Sequence, residues 1–126
     1  MYRARIIPCL HISGNGLVKT RKFKDPIYIG DPVNAMRIFS EKEVDEIAVL
    51  DIEASRQQQE PNYELIAEMA GEAFMPLAYG GGAGTIEHLS QGVNEGAAYA
   101  VAAGSMFVFY GKHRAVLINY PKDVTF

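Results

Sequence analysis

Cysteine is nearly absent from this chain of 126 residues: Cys9 stands alone. No internal disulfide can staple such a fold, and a reducing, cytoplasmic setting is the expectation. Long apolar runs are also missing, since nothing approaches the roughly 20 consecutive apolar residues that a membrane-spanning helix needs. The opening MYRARIIPCL lacks the cleavage pattern of a secretory signal. Neither sign of charge dominates, because 12 Lys and Arg against 15 Asp and Glu leave a net charge of -3. That balance provides no broad field for nucleic acid or an anionic membrane, and neither is an expected partner. One local exception, Lys19, Arg21, Lys22 and Lys24, suits a small anion. His88 and His113 show no metal-ligand spacing with another His or Cys, so no metal or other cofactor is expected. A G-x-S-x-G elbow and a P-loop lysine motif are both missing, which leaves hydrolase and nucleoside-triphosphatase readings unsupported.

What is present is an ordinary globular composition, 48% hydrophobic and 21% charged. A chain of this length makes one domain, 1–126, able to bury roughly two thirds of the surface its unfolded form exposes. Four strand-then-helix units follow one another. The first strand reads ARIIPCLHI, and about twenty residues rich in Gly, Lys and Asp follow it as a long loop. Asp31-Pro32 then offers a capping side chain and a proline suited to the first helical position, ahead of an apolar stripe of Val33, Met36 and Phe39. EIAVLDIEA is a nearly continuous apolar run, as a strand covered on both faces requires. After the polar SRQQQE, a second helix beyond Pro61-Asn62 gathers Leu65, Ile66, Met69 and Ala70 and stops near Gly71. The third strand, FMPLAY, runs into the glycine-rich residues 80–84, after which Thr85 caps a helix with Ile86, Leu89 and Val93 facing inward. AAYAVAAGS is the fourth strand. In the tail a helical turn near Phe107 competes with the strand composition of AVLINY. Such alternation implies parallel pairing with right-handed crossovers, and it places function at the C-terminal ends of the strands.

IIPCLHISGNGLVKT, IYIGDPVNAMRIFSEKEVDEIAVLDIEAS and FMPLAYGGG together resemble the first three βα units of the HisF family, the cyclase subunit of imidazole glycerol phosphate synthase. The GLVKT and YIGDP variants are closer to its paralogues in surface-sugar gene clusters. GGAGTIEHLSQGVNEGAAYAVAAGSMFVFYGKHRAVLINYP resembles the seventh and eighth units, so strands four to six of the family have no counterpart and the splice falls within residues 80–84. The resemblance implies an α/β fold that is a (βα)4 half of a TIM-type (βα)8 barrel; such a half leaves two open strand edges and an apolar inner face, so completion by homodimerisation is expected. A higher oligomer, a swapped arrangement, or a monomer rearranged into an open flavodoxin-like sheet are the rival outcomes.

The family holds a substrate with a phosphate at each end, and the resemblance assigns its second phosphate site to Gly81, Gly82, Ala83, Gly84, Ala103, Gly104 and Ser105. Residues without bulk let backbone N–H groups reach phosphate oxygens, and a helix N-terminus adds a favourable field. The alternative is a tight turn and a packed strand end without a ligand. Three positions are the catalytic candidates. His11 stands where the family has a general acid/base carboxylate, and histidine transfers protons near neutral pH; otherwise it only fills the barrel mouth. Lys19 matches a lysine that closes over substrate, or is a solvated charge. Asp51 matches an acidic position near the mouth, or caps the next loop.

The family reaction is an ammonia-dependent lyase and cyclase step of histidine biosynthesis, with ammonia supplied by a glutaminase partner at the opposite barrel end. Each missing acid/base carboxylate removes roughly 10²–10⁴-fold in rate, which argues against efficient turnover. Ammonia-dependent amidation of a nucleotide sugar is the second enzymatic reading. A non-catalytic phosphate-binding scaffold is the third.

Overall fold

The computed structural model describes residues 3–22, 24–54, 59–103, 107, 109–110 and 115–116. Gly104, Ser105 and His113 lie outside the described residues. The chain forms β1 (Cys9–Ser13), β2 (Gly16–Arg21), β3 (Lys24–Gly30), α1 (Pro32–Glu41), β4 (Ile47–Asp51), α2 (Tyr63–Glu72), β5 (Leu77–Gly80), α3 (Ile86–Asn94) and β6 (Ala100–Ala102). A short antiparallel pair, β7 (Phe109–Tyr110) and β8 (Ala115–Val116), forms a separate sheet.

Six strands make one open sheet in the order β3-β2-β1-β4-β5-β6. The four strands β1, β4, β5 and β6 are parallel and lie side by side in chain order. Right-handed crossovers that always advance in the same direction must put every helix on the same face. The core shows this result: Ile12, Ile47, Val49, Leu77 and Tyr79 from the strands pack with Met36 of α1 and with Leu65, Ile66 and Met69 of α2. Each large side chain here contributes about 1.5–3 kcal/mol by leaving water. α3 joins the same face, where Gly92 sits so close that an added Cβ would lie 2.9 Å from Val101 Cγ1. The alternate strand positions, Cys9, His11, Ala48, Leu50, Ala78, Ala100 and Ala102, form the other face and are half-buried or exposed. Helices on one face and small side chains on the other are the layers of a half-barrel, (βα)4, left open at both edges. An open flavodoxin-like sheet would have helices on both faces.

The helix starts follow their capping residues. Asn34 N–H donates to Asp31 Oδ2 at 3.2 Å with Pro32 in the first turn, Leu65 N–H donates to Asn62 Oδ1 at 3.1 Å, and His88 N–H donates to Thr85 Oγ1 at 3.1 Å. α1 and α2 are clasped by Arg37, whose Nε and second guanidinium nitrogen lie 3.0 and 3.1 Å from the two Glu72 carboxylate oxygens. That fork holds the Glu72 carboxyl below its ordinary range.

Two expectations change. The segment after β1 is not a long loop but a hairpin, β2–β3, and β2 takes the outer side of β1 from His11 to Ser13. The turn from β1 into β2 is the two-residue Gly14-Asn15, with Gly14 at φ 61°, the conformation that a tight hairpin requires. The first strand is also shorter than ARIIPCLHI, because Pro8 has no N–H to donate to a ladder. Residues 3–8 are instead tied down by side chains: Ile6 N–H donates to Asp45 Oδ2 at 2.8 Å, Arg3 lies 3.2 Å from Asp45, and Arg5 pairs with Glu46. No helix among the described residues is long and apolar enough to cross a membrane.

Candidate functional site

The C-terminal ends of β1, β4, β5 and β6 converge with the turns that leave them. β4 ends in Asp51, and its Oδ1 accepts from the N–H groups of both Glu53 and Ala54 at 3.0 Å. These bonds close the loop after the strand, which is the capping role. Burial pushes the Asp51 carboxyl up, and the two backbone donors oppose that shift.

Beside it, β5 delivers the glycine turn. Gly81 at φ 114° and Gly82 at φ 80° occupy backbone conformations that side chains rarely adopt. Space forbids a side chain as well: a Cβ at Gly81 would lie 2.8 Å from Asp51 Cβ, and one at Gly82 would lie 2.6 Å from Gln59 O and 2.9 Å from Pro61 N. The turn is thus pressed against the end of β4 and the segment ahead of α2. Ala83 and Gly84 continue into the N-terminus of α3, and a Cβ at Gly84 would meet only His88 Nδ1, at 3.9 Å.

His88, on the first turn of α3, fastens this loop. Gly84 N–H donates to His88 Nδ1 at 2.9 Å, while His88 Nε2 lies 2.9 Å from Glu60 Oε1. A crevice of about 10 Å³, lined by Pro61, Tyr79, Gly81, Ala83, His88 and Ala102 among others, runs beneath; it has room for about one water. Tyr79 is 2% exposed, and its hydroxyl has no hydrogen-bond partner among the described residues. Burial first, and then the Asp51 charge, push that phenol up to about 12. Sequence reasoning passed over Tyr79, Glu60 and the role of His88. The legible signal was Thr85-x-x-His88, which has the spacing of a capping box with histidine as the reaching residue.

The other candidates are placed as follows. His11 is half-buried on the inner face, opposite Val18 of β2 and Leu50 of β4. Lys19 is exposed on β2 and borders a cleft of about 320 Å³ with Thr20, Arg21, Asp25 and Ile27. Ala103 is half-buried just beyond β6. The fold sets Gly81 against Asp51 and Gly82 against Gln59, Glu60 and Pro61, and Gly84 belongs to the same turn. No group of three or more His, Cys, Asp or Glu that could hold a metal ion occurs among the described residues.

A half-barrel with glycine and small-residue turns at its strand ends belongs to the (βα)8-barrel class. The chain belongs to the family of histidine biosynthesis proteins, which matches residues 5–114. A Pseudomonas aeruginosa protein carrying the subunit name hisF2 of imidazole glycerol phosphate synthase is 68% identical over 88 residues, 70% of this chain and 35% of the relative. A HisF subunit of the same synthase from Leptospira borgpetersenii is 63% identical over 82 residues, 65% of this chain and 32% of that one. The HisF subunit of Leptospira biflexa is 40% identical over 93 residues, 74% of this chain and 36% of its own length. The chain thus spans about a third of the length of the curated relatives it matches.

Proposed function

We propose that this chain is a HisF-type half-barrel that binds phosphate, or one phosphate end of a phosphorylated metabolite, at the turn formed by Gly81, Gly82, Ala83 and Gly84. Ala103, with Gly104 and Ser105 next in sequence, completes the site. The single observation that carries this reading is the glycine turn running from the C-terminal end of β5 into the Thr85-capped start of α3. Glycine and alanine carry no bulky side chains of their own there, and a helix N-terminus attracts anions. The relatives are named as subunits of a synthase whose named compound is itself a phosphate ester, which supports the same ligand class.

Two copies complete the barrel in this reading. The inner face is lined by Ala48, Ala78, Ala100 and Ala102 and has no helix over it among the described residues. Because β2 occupies the outer side of β1 from His11 onward, β6 of one copy meets residues 6–10 of the other, where Ile6 is 77% exposed. His11 from each copy then enters the shared mouth as the proton-transfer group of an ammonia-dependent ring-forming step, with Lys19 and Asp51 at the rim. A glutaminase docks at the opposite end, on the cleft of about 530 Å³ bordered by Arg3, Ser40, Glu43, Asp45 and the exposed Phe74.

Titration with inorganic phosphate tests the site. Wild-type chain is expected to bind, and Gly84→Glu is expected to lose binding with an unchanged far-UV circular dichroism spectrum, since there is space at Gly84 for a side chain. Equal binding by both proteins would move the phosphate elsewhere. Ring formation from the phosphorylated precursor and ammonium, lost in His11→Ala, would establish catalysis; phosphate binding with no turnover would make the chain a scaffold.

A further inference from the structure

Gly84 N–H, one of the amides that the proposed phosphate site would use, is already engaged by His88. The geometry fixes the form of that imidazole. Nδ1 accepts from Gly84, so the ring proton resides on Nε2, where it faces Glu60 Oε1 at 2.9 Å. A doubly protonated ring would set its Nδ1–H against the Gly84 N–H, donor against donor. The tether between the β5–α3 turn and the segment before α2 therefore exists only with neutral His88.

We propose that His88 is a proton-controlled positioning residue of the glycine turn, holding Gly84 N–H when neutral and surrendering it to a phosphate oxygen when protonated. This rests on the phosphate reading given above. Two changes act together on protonation. Gly84 N–H loses its intramolecular acceptor, and the imidazolium gains a second N–H that is itself a donor for an anion at the start of α3. At the same crevice the Tyr79 hydroxyl, 2% exposed as a residue, is a buried donor without an acceptor among the described residues. The charged and titratable groups around His88 are Glu60 ahead of α2, Tyr79 on β5 and Glu87 on its own helix, while β6 contributes only the apolar Val101 and Ala102. Glu60, largely exposed, remains the partner of Nε2 after the switch. The four residues from Thr85 to His88 thus serve both as a helix cap and as a latch on the turn before it.

The test uses the full chain and sulfate as probe, at about pH 5.5 and about pH 8, because sulfate remains a dianion across that range while histidine titrates. Wild type is expected to bind sulfate about tenfold more tightly at the acid end, the worth of one charge-assisted hydrogen bond. His88→Gln mimics the neutral ring, with an amide oxygen for Gly84 and an amide nitrogen for Glu60, and is expected to bind weakly with no pH slope. Nitrogen-15 NMR of the wild-type imidazole supplies a readout that needs no ligand, and the Nε2–H tautomer is expected at high pH. An Nδ1–H tautomer, or an equal pH slope in His88→Gln, would overturn the latch while leaving the phosphate site standing. Failure of both proteins to bind sulfate or phosphate at any pH would overturn the site itself, and the switch with it.

Discussion

Tyr79 shows what a single residue can cost. Its ring fills the core between β5 and the helices, but its hydroxyl is buried with no hydrogen-bond partner among the described residues. An unsatisfied buried hydroxyl costs about 1–3 kcal/mol. Tyr79→Phe keeps the ring and removes the orphan, so it is expected to stabilise the chain by about 1 kcal/mol, seen as a higher urea midpoint. The same residue sets an alkaline limit. Its folded-state value, pushed up to about 12, exceeds the unfolded value, which is about 10. Between those two values the folded state holds a proton that the unfolded state has released, so the favourable contribution is complete below about pH 10 and is lost as pH rises toward about 12. Tyr79→Phe should remove that component of the alkaline decline, and an unaltered decline would assign it to other groups.

At the scale of elements, the strand-to-helix turn after β5 matters most. Gly82 combines φ 80° with a Cβ position 2.6 Å from Gln59 O, whereas Gly84 has open space and no positive φ. Gly82→Ala is therefore expected to cost about 2 kcal/mol through strain and overlap. Gly84→Ala should change stability by less than about 0.5 kcal/mol. Similar costs at both positions, measured by urea unfolding, would mean that the turn yields as a whole. The hairpin β2–β3 is the element that pattern reading turned into a loop. The Gly14-Asn15 turn that leads from β1 into this hairpin was legible as a two-residue connection. Its strands were not, because Lys19, Arg21, Lys22 and Lys24 interrupt the apolar alternation and Ile27, Tyr28 and Ile29 remain exposed on a strand covered on neither face.

For the whole molecule, an open edge at each end of the sheet and a bare small-residue face make the assembled state the main quantity to measure. Light scattering after size exclusion is expected to give the mass of two copies. Ala100 is exposed on the inner face of one copy, so Ala100→Arg should leave the half-barrel folded and convert the dimer to a monomer by burying an unpaired charge at the joint. A wild-type monomer at every concentration would leave each His11 without a counterpart and sink the shared mouth.

Local chemistry in the sequence determined the element order, because capping residues, prolines and apolar periodicity act within a few residues. Asp31 and Thr85 cap the helices that the sequence assigned to them, Asn62 caps the helix expected just beyond it, and the run of four βα units set the parallel sheet. The sequence also marked the glycine turn as exceptional. Only the tertiary structure decided that α1, α2 and α3 share one face, that β2 lies on the outer side of β1, and that His88 reaches both Gly84 and Glu60. These depend on crossover handedness, on strand edges and on side chains meeting across gaps of up to 28 residues between Glu60 and His88. Spacing along a chain does not encode such meetings until packing brings the segments together.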